Sequence, residues 1–245
     1  MHLKLILVAL TPLLSAYTSP VKTADKMLGI PYREDGAQNL KGEYITFENQ
    51  EKTFTSPGFN CSGFLVSVSR KLLNPHLNLT QASMDRKHDS GPDSPMGEDW
   101  DFGLDLIFNI AKGFKTKAVG PERPKLQAQT PETMYKQKGF NLHNLQLWQQ
   151  TLSKIKSGAI YLSTVSKPYR KKGYKLIYYH VGMIIRESHD KVWFYHSTRK
   201  SGVHKLNLKS QSGMELMQKE FARSPYGDKY IYLLEVGLPD NHQKS

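Results

Sequence analysis

Apolar residues recur at helical spacing over Phe64, Leu65, Val68 and Leu72, between a Pro57-Gly58 turn and an Asn74-Pro75 stop. This pattern predicts a helix whose first turn holds Cys61. Upstream, Thr18 or Ser19 can cap a short helix with Pro20 in its first turn. Val21, Ala24 and Leu28 form its apolar stripe, and Gly29 closes it. Residues 40–57 are polar with scattered aromatics and predict a loop or hairpin leading into the Cys61 helix.

From about 75 to 150 the texture changes. Asp89 to Pro95 reads as a loop, and Trp100, Phe102, Leu104, Leu106, Ile107 and Phe108 form an apolar cluster. Pro121, Pro124 and Pro131 argue against a long helix after it. A helical stretch begins at Thr130 to Thr133, and a second runs through Leu142, Leu145, Leu147, Trp148, Leu152 and Ile155. The segment is too apolar for a free linker and predicts a largely helical or loop insertion packed on the main domain. Beyond it, Gly158–Ser163, Tyr174–Arg186, Val192–Thr198 and Val203–Leu208 have strand character. A helix around Gly213–Ala222 and a last strand at Tyr230–Val236 follow. The expected fold class is α+β, with N-terminal helices packed on an antiparallel sheet.

The first residues read as an export signal: Met1 to Lys4 carries the positive end, Leu5 to Leu14 is apolar, and Ser15-Ala16 offers small residues for cleavage. A buried N-terminal helix is the alternative. The apolar run is shorter than the ~20 residues that span a bilayer. The expectation is a signal peptide over 1–16 and one domain over 17–245, exported to the periplasm or secreted, with no stable membrane insertion after cleavage. The formal net charge of +12 suits a polyanionic partner such as an anionic cell-envelope polymer. No nucleic-acid-binding motif accompanies it, so nucleic acid is not expected. The densest basic run, Lys167 to Lys172, reads as a solvated loop.

Candidate chemistry centres on Cys61, the single cysteine of 245 residues. It cannot form an intramolecular disulfide or anchor a multi-cysteine metal site. At a helix N-terminus, unpaired N–H groups and the helix dipole favour a thiolate. The competing reading is a small buried apolar residue. A thiolate needs a base, and His180 and His196 stand out among nine histidines. A hairpin symmetric about Ser188 sets the two opposite one another, with Cβ atoms roughly 4.5–5.5 Å apart. One imidazole then acts as base and the other fixes its tautomer. A zinc site would recruit His180, His189, His196 and His204, but His189 falls at the turn, so neither metal nor other cofactor is expected.

Several segments together resemble the NlpC/P60 family of exported papain-like cysteine peptidases. The matching segments are Gly29-Ile30-Pro31-Tyr32, Phe59-Asn60-Cys61-Ser62-Gly63-Phe64, Ser157-Gly158-Ala159-Ile160, His180-Val181-Gly182-Met183-Ile184 and Tyr195-His196-Ser197-Thr198. They lie in two blocks either side of the insertion, in the family's order. The resemblance implies a papain-like fold with the nucleophile helix packed on an antiparallel sheet. It also implies Cys61 as nucleophile, His180 as base and His196 as orienting residue, with Tyr32, Asn60 and Ser62 at the substrate. Peptidoglycan stem peptides would be the substrate. The family's Asp before the cysteine is Asn60 here, which cannot pair with an ammonium group. The resemblance favours cleavage between D-Glu and the diamino acid. N-acetylmuramoyl-L-alanine amidase activity, acyl transfer by the same residues, and a non-catalytic basic wall-binding protein are the alternatives.

Overall fold

The computed structural model describes residues 19–86, 88, 100–121, 139–169, 175–223 and 227–237. The export signal, the Asp89–Pro95 loop, the helix start at Thr130–Thr133 and Arg170–Lys172 lie outside these residues.

The N-terminal third places the Cys61 helix. Helix α1 (Pro20–Asp25) precedes a small antiparallel meander of β1 (Gly36–Gln38), β2 (Tyr44–Thr46) and β3 (Thr53–Phe54). Helix α2 (Cys61–Leu72) then begins where Asn60 Oδ1 accepts the Gly63 N–H at 2.7 Å. A Cβ on Gly63 would stand 2.0 Å from the Gly36 carbonyl oxygen, so only glycine lets α2 approach β1 this closely.

The rest of the chain builds one large sheet. The strands are β4 (Thr116–Val119), β5 (Phe140–Asn141), β6 (Ile160–Tyr169), β7 (Lys175–Arg186), β8 (Val192–Thr198), β9 (Gly202–Asn207) and β10 (Tyr230–Val236). They run in the antiparallel order β4-β10-β6-β7-β8-β9, with β5 beside β4 on the outer edge of β10. The remaining helices are α3 (Leu79–Ala82), α4 (Phe102–Ile110), α5 (Leu145–Lys154) and α6 (Gln211–Glu220).

Strand alternation divides the interior into two cores. Val181, Met183, Ile185 and Tyr195 face α1, α2 and α4, joining Phe64, Leu65, Val68, Leu106 and Ile107. On the other face Val165, Ile184, Phe194 and Ile231 pack with Trp148 and Leu152 of α5 and Met214 and Met217 of α6. Tyr195 Oη donates to Asp25 Oδ1 at 2.8 Å, and Lys205 Nζ lies 2.7 Å from the same oxygen, pinning α1 to the sheet.

The papain-like NlpC/P60 fold expected from the motifs is corrected by this arrangement. Among the described residues the architecture is mixed α/β, with six helices and a large antiparallel sheet covered on both faces. The 75–150 segment supplies α3, α4, the start of α5 and two strands on the β10 edge. The apolar cluster at Trp100–Phe108 is largely a helix, because Leu104, Leu106, Ile107 and Ile110 have one face of the sheet to bury against.

Candidate active site

The hairpin that carries the two histidines turns one residue later than its sequence symmetry implies, which slips the cross-strand pairing by two. Glu187 and Ser188 both donate their N–H groups to the Lys191 carbonyl, so the turn is centred on His189 and the ladder runs Arg186↔Val192 to Met183↔Tyr195. A shift of two preserves side-chain parity. His180 and His196 therefore share a face, diagonally rather than squarely opposed. His180 Nε2 lies 3.1 Å from His196 Nδ1. His196 also stacks on Phe194, with ring centroids 4.4 Å apart, and His180 meets Phe221 edge-on at 4.9 Å.

A bulge shapes the approach to His180. Val165 pairs with His180 and Ser166 with Tyr178, leaving Tyr179 as the extra residue. Tyr179 thus packs against the second core beside His180, with Lys167 Nζ 4.9 Å and Lys229 Nζ 5.5 Å from its ring centroid. Its hydroxyl is buried without a hydrogen-bond partner, and burial, with Cys61 nearby, pushes it above the usual phenol range.

Cys61 sits where β7 and β8 part. Their ladder stops at Met183↔Tyr195, and beyond it each strand touches the chain entering α2. Ser197 Oγ of β8 donates to the Phe59 carbonyl at 2.8 Å, and the Val181 backbone of β7 hydrogen-bonds the Cys61 sulfur. The sulfur thus lies against the residue next to His180, and Phe59 against the residue next to His196. No hydrogen bond joins Cys61 to His180. Burial pushes the thiol up, opposed by the backbone of Val181, by Ser62 Oγ at 3.9 Å and by the first-turn N–H groups. His180 is driven well below the ordinary imidazole range, first by burial and then by His196. The resting pair is a neutral thiol and a neutral imidazole.

The predicted substrate residues divide. Tyr32 bridges to Phe59, two residues from Cys61, and its hydroxyl is engaged with Arg199. Ser62 is buried beside the sulfur. Asn60 is committed to the helix cap, a role that Asp fills equally, which accounts for its presence there without any substrate contact.

Glu220, the last residue of α6, was not legible as a site residue. Its Oε2 lies 3.2 Å from His196 Nε2 and its Oε1 3.0 Å from His204 Nε2. Although burial opposes ionisation, His196 and His204 hold the carboxyl at about 2. Burial lowers His196 to about 4 despite Glu220. For His204, burial is outweighed by Glu220 and the Gly202 carbonyl, and the net shift is upward. An ionised Glu220 favours a proton on His196 Nε2. His196 Nδ1 then accepts from His180 Nε2–H, which leaves His180 Nδ1 as the free basic nitrogen. His189 is exposed and paired with Asp190, away from this chain of groups.

No family model matches the chain, and no curated protein matches it. Among solved structures it is similar to LPG0564 of Legionella pneumophila, described as a DUF1460 protein, at 15% identity and a TM-score of 0.48 over 90% of this chain and 88% of that one. The NlpC/P60 membership read from the motifs is corrected: no family model matches the chain, and the similar solved structure is described as a DUF1460 protein. Short motifs around a cysteine and a strand histidine reflect what a helix cap and a paired strand demand locally, and do not by themselves specify a family.

Proposed function

We propose that the protein is a cysteine-dependent amide hydrolase, with Cys61 as nucleophile, His180 as general base and His196 as the residue that positions it. What supports this reading is the buried His180–His196 contact of 3.1 Å beside a sulfur held by the backbone of Val181. Because thiol and imidazole are both neutral at rest, proton transfer accompanies attack instead of preceding it. His180 Nδ1 takes the thiol proton as sulfur adds to the carbonyl, then returns it to the leaving amine. Water activated by the same nitrogen hydrolyses the thioester and restores the thiol. Backbone N–H groups of the first turn of α2 face the developing oxyanion.

Peptidoglycan stem peptides are the first substrate to test, because a net charge of +12 suits an anionic cell-envelope polymer. Mass spectrometry of the soluble products separates the D-Glu to diamino acid bond from the sugar-to-L-Ala amide. Wild type should release fragments that Cys61→Ala and His180→Ala do not. Equal release by wild type and Cys61→Ala would end the proposal.

One observation favours a non-catalytic wall-binding reading: the thiol is pushed up and makes no hydrogen bond to His180. Under that reading wild type sediments with insoluble peptidoglycan but never cuts it, and Cys61→Ala sediments equally.

A further inference from the structure

We propose that His196, His204 and Glu220 form a binding site for a first-row divalent metal, zinc being the best match, and that its occupation switches off His180. The three residues come from β8, β9 and the end of α6, and one donor atom of each lies within 4.8 Å of the others. His196 and His204 are directly paired across β8 and β9, with ring centroids 4.3 Å apart.

The Nε2 atoms of both imidazoles face one carboxylate, the arrangement a metal needs. His204 Nδ1 faces the Gly202 carbonyl at 3.0 Å. A carbonyl only accepts, so Nδ1 carries the proton, and in neutral His204 the Nε2 lone pair points at Glu220 Oε1, 3.0 Å away. His196 Nε2 is fully buried and stands 3.2 Å from Glu220 Oε2, yet it is not aligned as a hydrogen bond and has no other partner. A buried N–H without an aligned acceptor is costly, and a cation that replaces the His196 Nε2 proton, shared by both Nε2 lone pairs and the carboxylate, relieves it. Two imidazoles and one carboxylate form a recurrent three-ligand zinc set that leaves a position for water. Each imidazole also has its second nitrogen held, His204 by Gly202 and His196 by His180, which is the usual outer support of metal-binding histidines.

The consequence for His180 rests on the proposed hydrolase reading. Metal on His196 Nε2 displaces that proton and requires one on Nδ1, so His196 now donates to His180 Nε2. The neutral His180 then carries its proton on Nδ1. The pair keeps its proton count: one leaves His196 Nε2 to solvent and one arrives at His180 Nδ1. The nitrogen that would receive the thiol proton is occupied, and hydrolysis stops.

Binding and inhibition are read separately on the full chain after chelator treatment. Cobalt(II) titration should give a visible d–d absorption saturating at one ion per chain, and zinc should displace it. His204→Ala and Glu220→Gln should each weaken binding by at least about 10- to 100-fold, while the surface change His189→Ala leaves it unchanged. Should either site variant fail to fold, 15N NMR of wild type reads the same point: zinc should shift the Nε2 resonances of His196 and His204 and not those of His76. No saturable absorption, or binding unaffected in folded site variants, overturns the site. Hydrolysis unaffected at full zinc occupancy overturns the switch while the site stands. If metal-free protein hydrolyses nothing, the hydrolase reading falls and the absorption still decides the site.

Discussion

At the scale of single residues, the state of the thiol decides what Cys61 can do. Burial raises the thiol and lowers His180, so the pair is uncharged near neutrality. Alkylation by iodoacetamide, which needs thiolate, should be slow at pH 6 to 7 and accelerate only above the ordinary thiol range, because burial pushes the Cys61 thiol up. Intact-mass kinetics across that range measure it, and fast labelling at pH 5 to 6 would mean a preformed thiolate–imidazolium pair instead. His180→Ala should lower hydrolysis by about 10²- to 10⁴-fold, the usual contribution of a general base, with little change in the alkaline labelling rate. Glu220→Gln tests positioning: the amide neither fixes the His196 proton nor stabilises its charge. Its expected signature is a lower kcat at nearly unchanged KM, with the pH dependence of kcat altered. A merely structural glutamate would move the thermal midpoint and leave that profile alone.

At the scale of elements, the Cys61 helix depends on two small contacts. Asn60→Ala removes the side chain that accepts the Gly63 N–H and should cost about 1 kcal/mol, whereas Asn60→Asp keeps the cap. Gly63→Ala sets two effects against each other. Better helix propensity favours alanine by about 1 kcal/mol. The new Cβ would meet the Gly36 carbonyl at 2.0 Å and Ala37 Cα at 2.7 Å, both backbone, and overpacking of that kind costs about 1–3 kcal/mol or more. The clash wins, and urea unfolding should show net destabilisation with the Cys61 end of α2 displaced. These same elements were the legible ones. The runs Val192–Thr198 and Tyr230–Val236 coincide with β8 and β10, because aromatic and branched residues between turn residues leave few alternatives. His180 and His196 could be placed on one face because parity survives a two-residue error in register. Strand β4 carried no such signal: Thr116, Lys117 and Ala118 are exposed, and only backbone pairing to β10 makes the segment a strand. Tyr179 was hidden by a bulge, which period-two reasoning cannot anticipate. Glu220 was hidden because a polar residue at the end of a helix looks solvated until the sheet beneath it is known.

At the scale of the whole molecule, packing a helix over a histidine cluster makes folding sensitive to acid. His180 and His196 are depressed, the latter to about 4, with burial as the leading cause in both. A depressed imidazole binds its proton more readily unfolded than folded, so stability is greatest above the unfolded value near 6.5 and falls as pH drops towards the folded value. Glu220 acts in the same direction lower down, since a carboxyl held at about 2 contributes above its unfolded value near 4.5 and loses that contribution as pH falls towards 2. His204 opposes them: its folded value is raised, so its contribution is complete below 6.5 and lost as pH rises through the folded value. Below pH 6.5 His204 is protonated in both states and drops out, so the two depressed histidines set the slope between pH 6.5 and 4 towards instability on acidification, at about 1.4 kcal/mol per pH unit for each proton taken up on unfolding. Urea midpoints at pH 7, 6, 5 and 4 should fall steadily. His196→Gln removes one titrating ring and should flatten that fall while lowering the midpoint at pH 7. A midpoint that does not fall between pH 6.5 and 4 would mean that the cluster protonates as readily folded as unfolded. The burial of the His180–His196 pair would then not depress its imidazoles, and the neutral base at position 180 would fall with it.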